Sequence, residues 1–79
     1  MKNLSANQIE NLISYYNASA YASTNEIQEV ANELLEEGDE LSEVEAEIQS
    51  QIEQQLIGYE YIECENQGSF HRHIWHKTT

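Results

Sequence analysis

The chain has 79 residues, of which fifteen are acidic and three are basic, and its formal net charge at pH 7 is −12. This balance excludes direct nucleic-acid binding, because phosphates require cationic side chains, and it disfavours an anionic membrane surface for the same reason. No apolar run approaches membrane-spanning length and the N-terminus lacks a signal-peptide core, so we expect a soluble, cytoplasmic protein. The expected partner is basic.

A single small domain is expected over residues 1–79. A chain of this length lies near the lower limit at which one core folds unaided, so a homodimer is left open. Its only cysteine, Cys64, precludes an internal disulfide and suits a reducing compartment.

The first helix is predicted over residues 5–17. Ser5 is a suitable N-cap and Gln8 follows three residues later, which is the pattern of a capping box. Apolar residues then recur at helical spacing. They are Ile9, Leu12, Ile13 and Tyr16. The pattern weakens at residues 17–19, so the helix is expected to end there or to continue to about Ala22.

Two further helices are predicted over residues 24–37 and 42–57. Gly38 and Gly58 follow them and are expected to end them in the left-handed conformation. The predicted N-caps are Ser23 or Thr24 for the second helix and Ser42 for the third. The buried stripe of the second helix is predicted to be Ile27, Val30, Ala31, Leu34 and Leu35. That of the third is predicted to be Val44, Ile48, Ile52 and Leu56.

After Gly58 the apolar period changes from 3.6 to 2, which predicts two strands over residues 59–65 and 69–76. A three-residue loop over residues 66–68 is expected to join them. One face of this hairpin would carry Ile62, Cys64, Phe70 and Ile74. The other would carry Tyr59, Tyr61, His73 and Trp75. Which face packs on the helices is left open, and a two-residue loop would shift the register by one. The expected fold class is α+β, with three α-helices followed by a C-terminal β-hairpin packed on them.

Metal and catalytic sites find little support. The acids around Gly38 lack the alternating oxygen ligands of an EF-hand loop. His71 and His73 share a strand face, whereas His76 and, in the expected register, Cys64 lie on the opposite face, so four zinc ligands do not converge. Cys64 is expected to be a small buried hydrophobe. We therefore expect no cofactor, no metal and no enzymatic activity, since a hairpin offers little orienting shell for a nucleophile.

The dominant feature is the acidic segment, residues 26–53, which holds eleven of the fifteen acidic residues and no Lys or Arg. Carboxylates three or four residues apart on a helix recur about every 5–6 Å along one side. Phosphates along a nucleic-acid strand are spaced on a similar scale, so a rigid element of this kind fits a groove built for them. A solvated helix face usually mixes Glu with Lys, and this one has no Lys.

A small chain with successive acidic helices and few cations resembles the phage-encoded inhibitors that imitate DNA, including anti-CRISPR and anti-restriction proteins. The resemblance covers the acidic segment alone. It implies a non-enzymatic inhibitor, in the host cytoplasm, that occupies the basic nucleic-acid-binding site of a CRISPR effector or restriction enzyme. The expected partner-binding residues are Glu26, Glu29, Glu33, Glu36, Glu37, Asp39, Glu40, Glu43, Glu47, Tyr61 and Trp75. The alternative is an acidic adaptor or regulatory protein that binds a basic partner through the aromatic side of its hairpin.

Overall fold

The computed structural model describes residues 2–78, apart from the side chains of Gln67 and Phe70. Helices and strands are interleaved along this part of the chain. In order they are α1 (Ala6–Leu12), β1 (Ser14–Tyr16), β2 (Ser19–Ser23), α2 (Thr24–Leu34), α3 (Leu41–Gln55), β3 (Tyr59–Gln67) and β4 (Phe70–Lys77). The strands form one antiparallel sheet in the order β1-β2-β4-β3. The α+β class is right, but the prediction of three helices followed by a lone C-terminal hairpin is wrong, because strands are interleaved with the helices.

The β1–β2 hairpin occupies a stretch that the sequence pattern assigns to the first helix. α1 ends at Leu12, and the next residue is already extended. Asn17 has a φ of 53°, a left-handed conformation that Asn tolerates better than most residues. It opens the two-residue connection between the paired residues Tyr16 and Ser19. Tyr16 is therefore 69% exposed on a strand and does not belong to a helical apolar face. Aromatic strand propensity and the pairing of β2 with β4 outweigh the helical period here.

The helix ends agree with the sequence signals at some positions and not at others. The capping box of α1 is present, since Ser5 Oγ accepts from the Gln8 N–H at 3.1 Å and Gln8 Oε1 accepts from the Ser5 N–H at 2.9 Å. Gly58 has a φ of +90° and follows shortly after the end of α3, as expected. Gly38 has a φ of +93°, but α2 already ends at Leu34 with an extended C-cap at Leu35, so the prediction that Gly38 ends this helix is wrong. Ser42 lies inside α3, whose N-cap position is occupied by Glu40, so its prediction as an N-cap is wrong.

The β3–β4 hairpin has a two-residue turn at Gly68-Ser69 in place of the predicted three-residue loop. Gly68 has a φ of +63°, as tight two-residue hairpin turns require at their first position. The predicted register is therefore wrong. Cys64 lies opposite His73, and a β-bulge at Ile62 interrupts the pairing between Tyr61 and Glu63. The expected position of the Phe70 side chain lies outside the described residues.

The helices cover one face of the sheet, and a single hydrophobic core lies between the helices and this face. On β2 the buried residues are Ala20 and Ala22, which alternate with partly buried neighbours. Trp75 of β4, paired with Ala20, is 1% exposed and joins the helix residues in one cluster. That cluster comprises Ile9, Leu12, Ile13, Ala20, Ala22, Ile27, Ala31, Leu34, Val44, Ile48, Ile52, Leu56 and Trp75. Within residues 2–78, no helix has both the length and the apolar character to cross a lipid bilayer.

The core shows which face of the β3–β4 hairpin packs on the helices. The aromatic side of the hairpin faces the helices, whereas Ile62 is 50% exposed. Cys64 is exposed, so the prediction of a buried cysteine is wrong. The predicted aliphatic face does not form, because the bulge places Cys64 on the side of Trp75 and away from Ile74.

Candidate partner-binding surfaces

The acidic stripe of α2 consists of Glu26, Glu29 and Glu33, all of them exposed. At 3.6 residues per turn they lie within about 60° of one another around the helix axis. The core side of the same helix carries Ile27 and Ala31. The helix thus presents a short row of carboxylates to solvent from a well-anchored base.

The connection from α2 to α3 carries four acids at a spacing that is not helical. α2 ends at Leu34, so the predicted extension of the helix to residue 37 is wrong. The Glu36 N–H donates to Asp39 Oδ2 at 3.0 Å, and the Asp39 N–H donates to the Glu36 carbonyl at 3.0 Å. The first of these bonds lowers the pKa of Asp39, because a backbone donor favours the charged carboxylate. A tight turn therefore fixes this part of the acidic segment, which also includes the exposed residues Glu37 and Glu40.

The acids of α3 are divided between two sides of the helix. Glu43 and Glu47 are one turn apart on one side, and Glu47 Oε1 accepts a hydrogen bond from Gln51 Nε2 at 3.2 Å. Glu45 and Glu53 lie on the other side. The structure therefore contains two rows of helical carboxylates joined by an acidic turn.

The acidic segment as a whole is exposed and lacks cations. Nine of its eleven acids are exposed, and the other two, Asp39 and Glu45, are partly buried. The only cationic residues of the chain are Lys2, Arg72 and Lys77, all outside this segment. The repulsion between its carboxylates is therefore not relieved by Lys or Arg within the segment itself.

The aromatic residues of the hairpin form a packed group under the helices. The Tyr61 and Trp75 rings meet edge to face with centroids 5.6 Å apart. Tyr61 Oη and His73 Nδ1 are 2.9 Å apart and share a hydrogen bond. Burial raises the pKa of Tyr61 and lowers the pKa of His73, and the Glu53 carboxylate favours the protonated form of both. Of the two predicted aromatic binding residues, Tyr61 is 37% exposed, whereas Trp75 lies in the core.

The outer face of the sheet, which is turned away from the helices, carries a row of acids that the sequence pattern did not predict. Glu60, Glu63 and Glu65 lie opposite His76, Ile74 and Arg72, and all three therefore point to this face. Regular alternation would place Glu60 on the face opposite to Glu63 and Glu65. The signal for the bulge is the adjacent apolar pair Tyr61-Ile62, which breaks the alternation of β3.

The outer face also has its own polar contacts. Arg72 lies over the Tyr21 ring, with Cζ 4.6 Å from the centroid, in a cation–π arrangement. Ser19 Oγ and His76 Nδ1 share a hydrogen bond at 3.0 Å. These contacts tie β2 to β4 on the side of the sheet that the helices leave open.

The histidines and Cys64 do not assemble a metal site in the described part of the chain. His71 and His73 share the helix-facing side and His76 lies on the outer face, as predicted, but Cys64 lies on the His73 side rather than opposite to it. His71 Nδ1 bonds to Asn66 Oδ1. Among residues 2–78 no three His, Cys, Asp or Glu side chains converge, and no pocket is found.

Comparisons with known proteins give no family for the chain. No protein-family model, curated protein or solved structure matches it.

Proposed function

We propose that this protein is a non-enzymatic inhibitor that imitates DNA and binds the Lys/Arg-lined nucleic-acid site of a CRISPR effector or restriction enzyme. The supporting observation is the acidic segment, which exposes nine of its eleven acids and contains no cation. Such a surface is complementary to a groove that binds phosphates.

The rigid part of this surface is the α2 row. Glu29 and Glu33 stand on a helix whose other side is anchored by Ile27 and Ala31, 2% and 0% exposed. Their carboxylates need little ordering when they bind, which lowers the entropic cost of association. The turn at Glu36 and Asp39 is held by one backbone hydrogen bond and one bond from a backbone N–H to the Asp39 carboxylate, so it too is largely preorganised.

The electrostatic contribution to the free energy of binding is the sum of many weak ion pairs. A single exposed ion pair contributes only about 0.2–1 kcal/mol. A basic groove that meets a row of carboxylates collects several such terms, and complementary fields also speed the encounter of the two proteins. Without a partner, the same carboxylates repel each other and destabilise the chain.

The aromatic hairpin is not proposed as the main docking surface. Trp75 is 1% exposed and packs within the core, so a partner could reach it only if the core opened. Tyr61 is more accessible, but it shares a hydrogen bond with His73 and packs against Trp75. Tyr61 is therefore limited to a contribution at the margin of an interface.

The first experiment identifies the target and tests its competition with DNA. The protein is used as bait in a host-cell lysate at low salt, and bound complexes are eluted with a salt gradient or with duplex DNA. We expect a nucleic-acid-handling complex that both treatments release. Capture of a complex that neither salt nor DNA releases would contradict the proposal.

The second experiment separates the acidic row from net charge. Glu29→Gln with Glu33→Gln removes two charges from the row, whereas Gln28→Lys with Asn32→Lys changes the net charge equally from a position about 100° around the same helix. We expect the first pair to weaken inhibition about tenfold and the second about twofold, as measured by titration of target nuclease activity. Equal losses in the two pairs would show that only bulk charge matters.

A further inference from the structure

We infer that the outer edge of β3 binds an extended, basic segment of a partner protein as an additional strand of the sheet. This surface differs from the acidic segment and does not depend on it.

β3 is the long edge of the sheet. It ends the strand order, runs from Tyr59 to Gln67, and pairs only with β4 among the strands of the described chain. The opposite edge, β1, has three residues. An edge strand directs alternate N–H and C=O groups away from its partner, where another strand can pair with them.

The bulge at Ile62 gathers negative charge on one face of this edge strand. It brings Glu60, Glu63 and Glu65 to the same outer face, although they do not share one alternation in the sequence. Glu65 lies opposite Arg72, so part of its charge is offset within the sheet. Glu60 and Glu63 are both exposed on this face, where they flank the position that a new strand beside β3 would occupy.

A second copy of this chain is a poor occupant. Pairing of two β3 edges would bring two rows of glutamates together, and like charges on facing strands are destabilising. Each copy also carries a net charge of −12. A strand with Lys or Arg at alternate positions would instead place cations beside Glu60 and Glu63, which makes a basic extended segment the complementary occupant.

The same features protect the free protein. Charged side chains and a bulge on an edge strand discourage edge-to-edge aggregation. The glutamates repel an acidic strand and attract a basic one, so they contribute to both protection and selectivity.

The test uses a fluorescent peptide of about nine residues with alternating Lys and Thr, a common strand length. Two further versions carry N-methyl groups on either the odd or the even backbone amides and keep the same charge. Binding is measured by fluorescence anisotropy at physiological salt. We expect one methylated version to bind like the parent and the other about tenfold more weakly, because only one edge of the peptide pairs with β3. If both versions bind like the parent, the attraction is only ionic and edge pairing is wrong.

A charge variant locates the peptide on the protein. Glu63→Lys is expected to weaken binding of the parent peptide about tenfold, and Glu47→Lys on α3, with the same change in charge, about twofold. Equal effects of the two variants, or a dimer in sedimentation velocity that Glu63→Lys disperses, would overturn the inference. The pair Glu29→Gln and Glu33→Gln should leave the difference between the two methylated peptides intact. A failure of edge pairing is thus distinguishable from a failure of DNA mimicry, which is measured on the target nuclease.

Discussion

Trp75, in the middle of the sheet, is 1% exposed, whereas Glu29 and Glu33, on the helix that packs against β4, are open to solvent. The two regions are adjacent but contribute differently to the free energy of the protein. Burial of Trp75 stabilises the fold by removing apolar surface from water. The carboxylates of α2 repel one another and destabilise it. Trp75 thus stabilises the fold, whereas the α2 carboxylates lower the stability of a chain of only 79 residues and are proposed to act in partner binding.

The largest effect is expected from Trp75→Ala. Removal of the side chain leaves a cavity in the core cluster beside Ala20, and large-to-small changes of an aromatic core residue cost about 3–5 kcal/mol. The free energy of unfolding, measured by urea denaturation, should fall by that amount. Tyr16→Ala removes an aromatic side chain that is 69% exposed and should change it by less than about 0.5 kcal/mol.

Trp75→Phe sharpens the same experiment. The Nε1 of Trp75 is buried without a hydrogen-bond partner among the described residues, and an unpaired buried donor is itself unfavourable. Phe keeps an aromatic ring and removes this donor, so its cost should be clearly smaller than that of Ala. Equal costs for Phe and Ala would show that Trp75 does not stabilise the core through the volume and packing of its ring.

The next effect concerns Asn17. Its φ of 53° lies in the left-handed region, where a β-branched residue is strained by about 1–2 kcal/mol. Asn17→Val should lower the free energy of unfolding by that amount, which corresponds to about 4–8 °C in Tm per kcal/mol for a domain of this size. Ala18→Val, in the same turn, serves as the control and should have little effect. If the two variants melt together, the turn does not depend on the conformation of residue 17.

Asn17 also shows why part of the fold escapes prediction from sequence. Residues 9–16 contain apolar positions at helical spacing, but β2 gains its place through pairing with β4, more than fifty residues later in the chain. A pattern confined to a short window carries no information about that partner. Local signals were sufficient where the structure is local, as in the Ser5 capping box and the left-handed Gly58 after α3.

The candidate surfaces also differ in whether the local sequence predicts them. The exposure of Glu26, Glu29 and Glu33 follows from the helical period of α2, which fixes the opposite side as core. The row formed by Glu60 and Glu63 depends on the bulge at Ile62, which directly follows the packed pair of Tyr61 and Trp75. Composition identifies an acidic protein, but only the register of the sheet shows where these carboxylates lie.

The smallest change in stability is expected from Glu33→Lys, which tests the contrast between the core and the acidic row of α2. Glu33→Lys places a cation four residues after Glu29, in the orientation that favours an ion pair on a helix. The free energy of unfolding should rise by about 0.2–0.5 kcal/mol, while inhibition of the target nuclease should weaken several-fold because the α2 row loses one charge and gains an opposite one. Urea denaturation and nuclease titration on the same preparation measure both changes. Two results would contradict this prediction. The variant could be less stable than the parent protein, or it could be more stable and still inhibit fully. In either case Glu33 would not lower stability while strengthening binding.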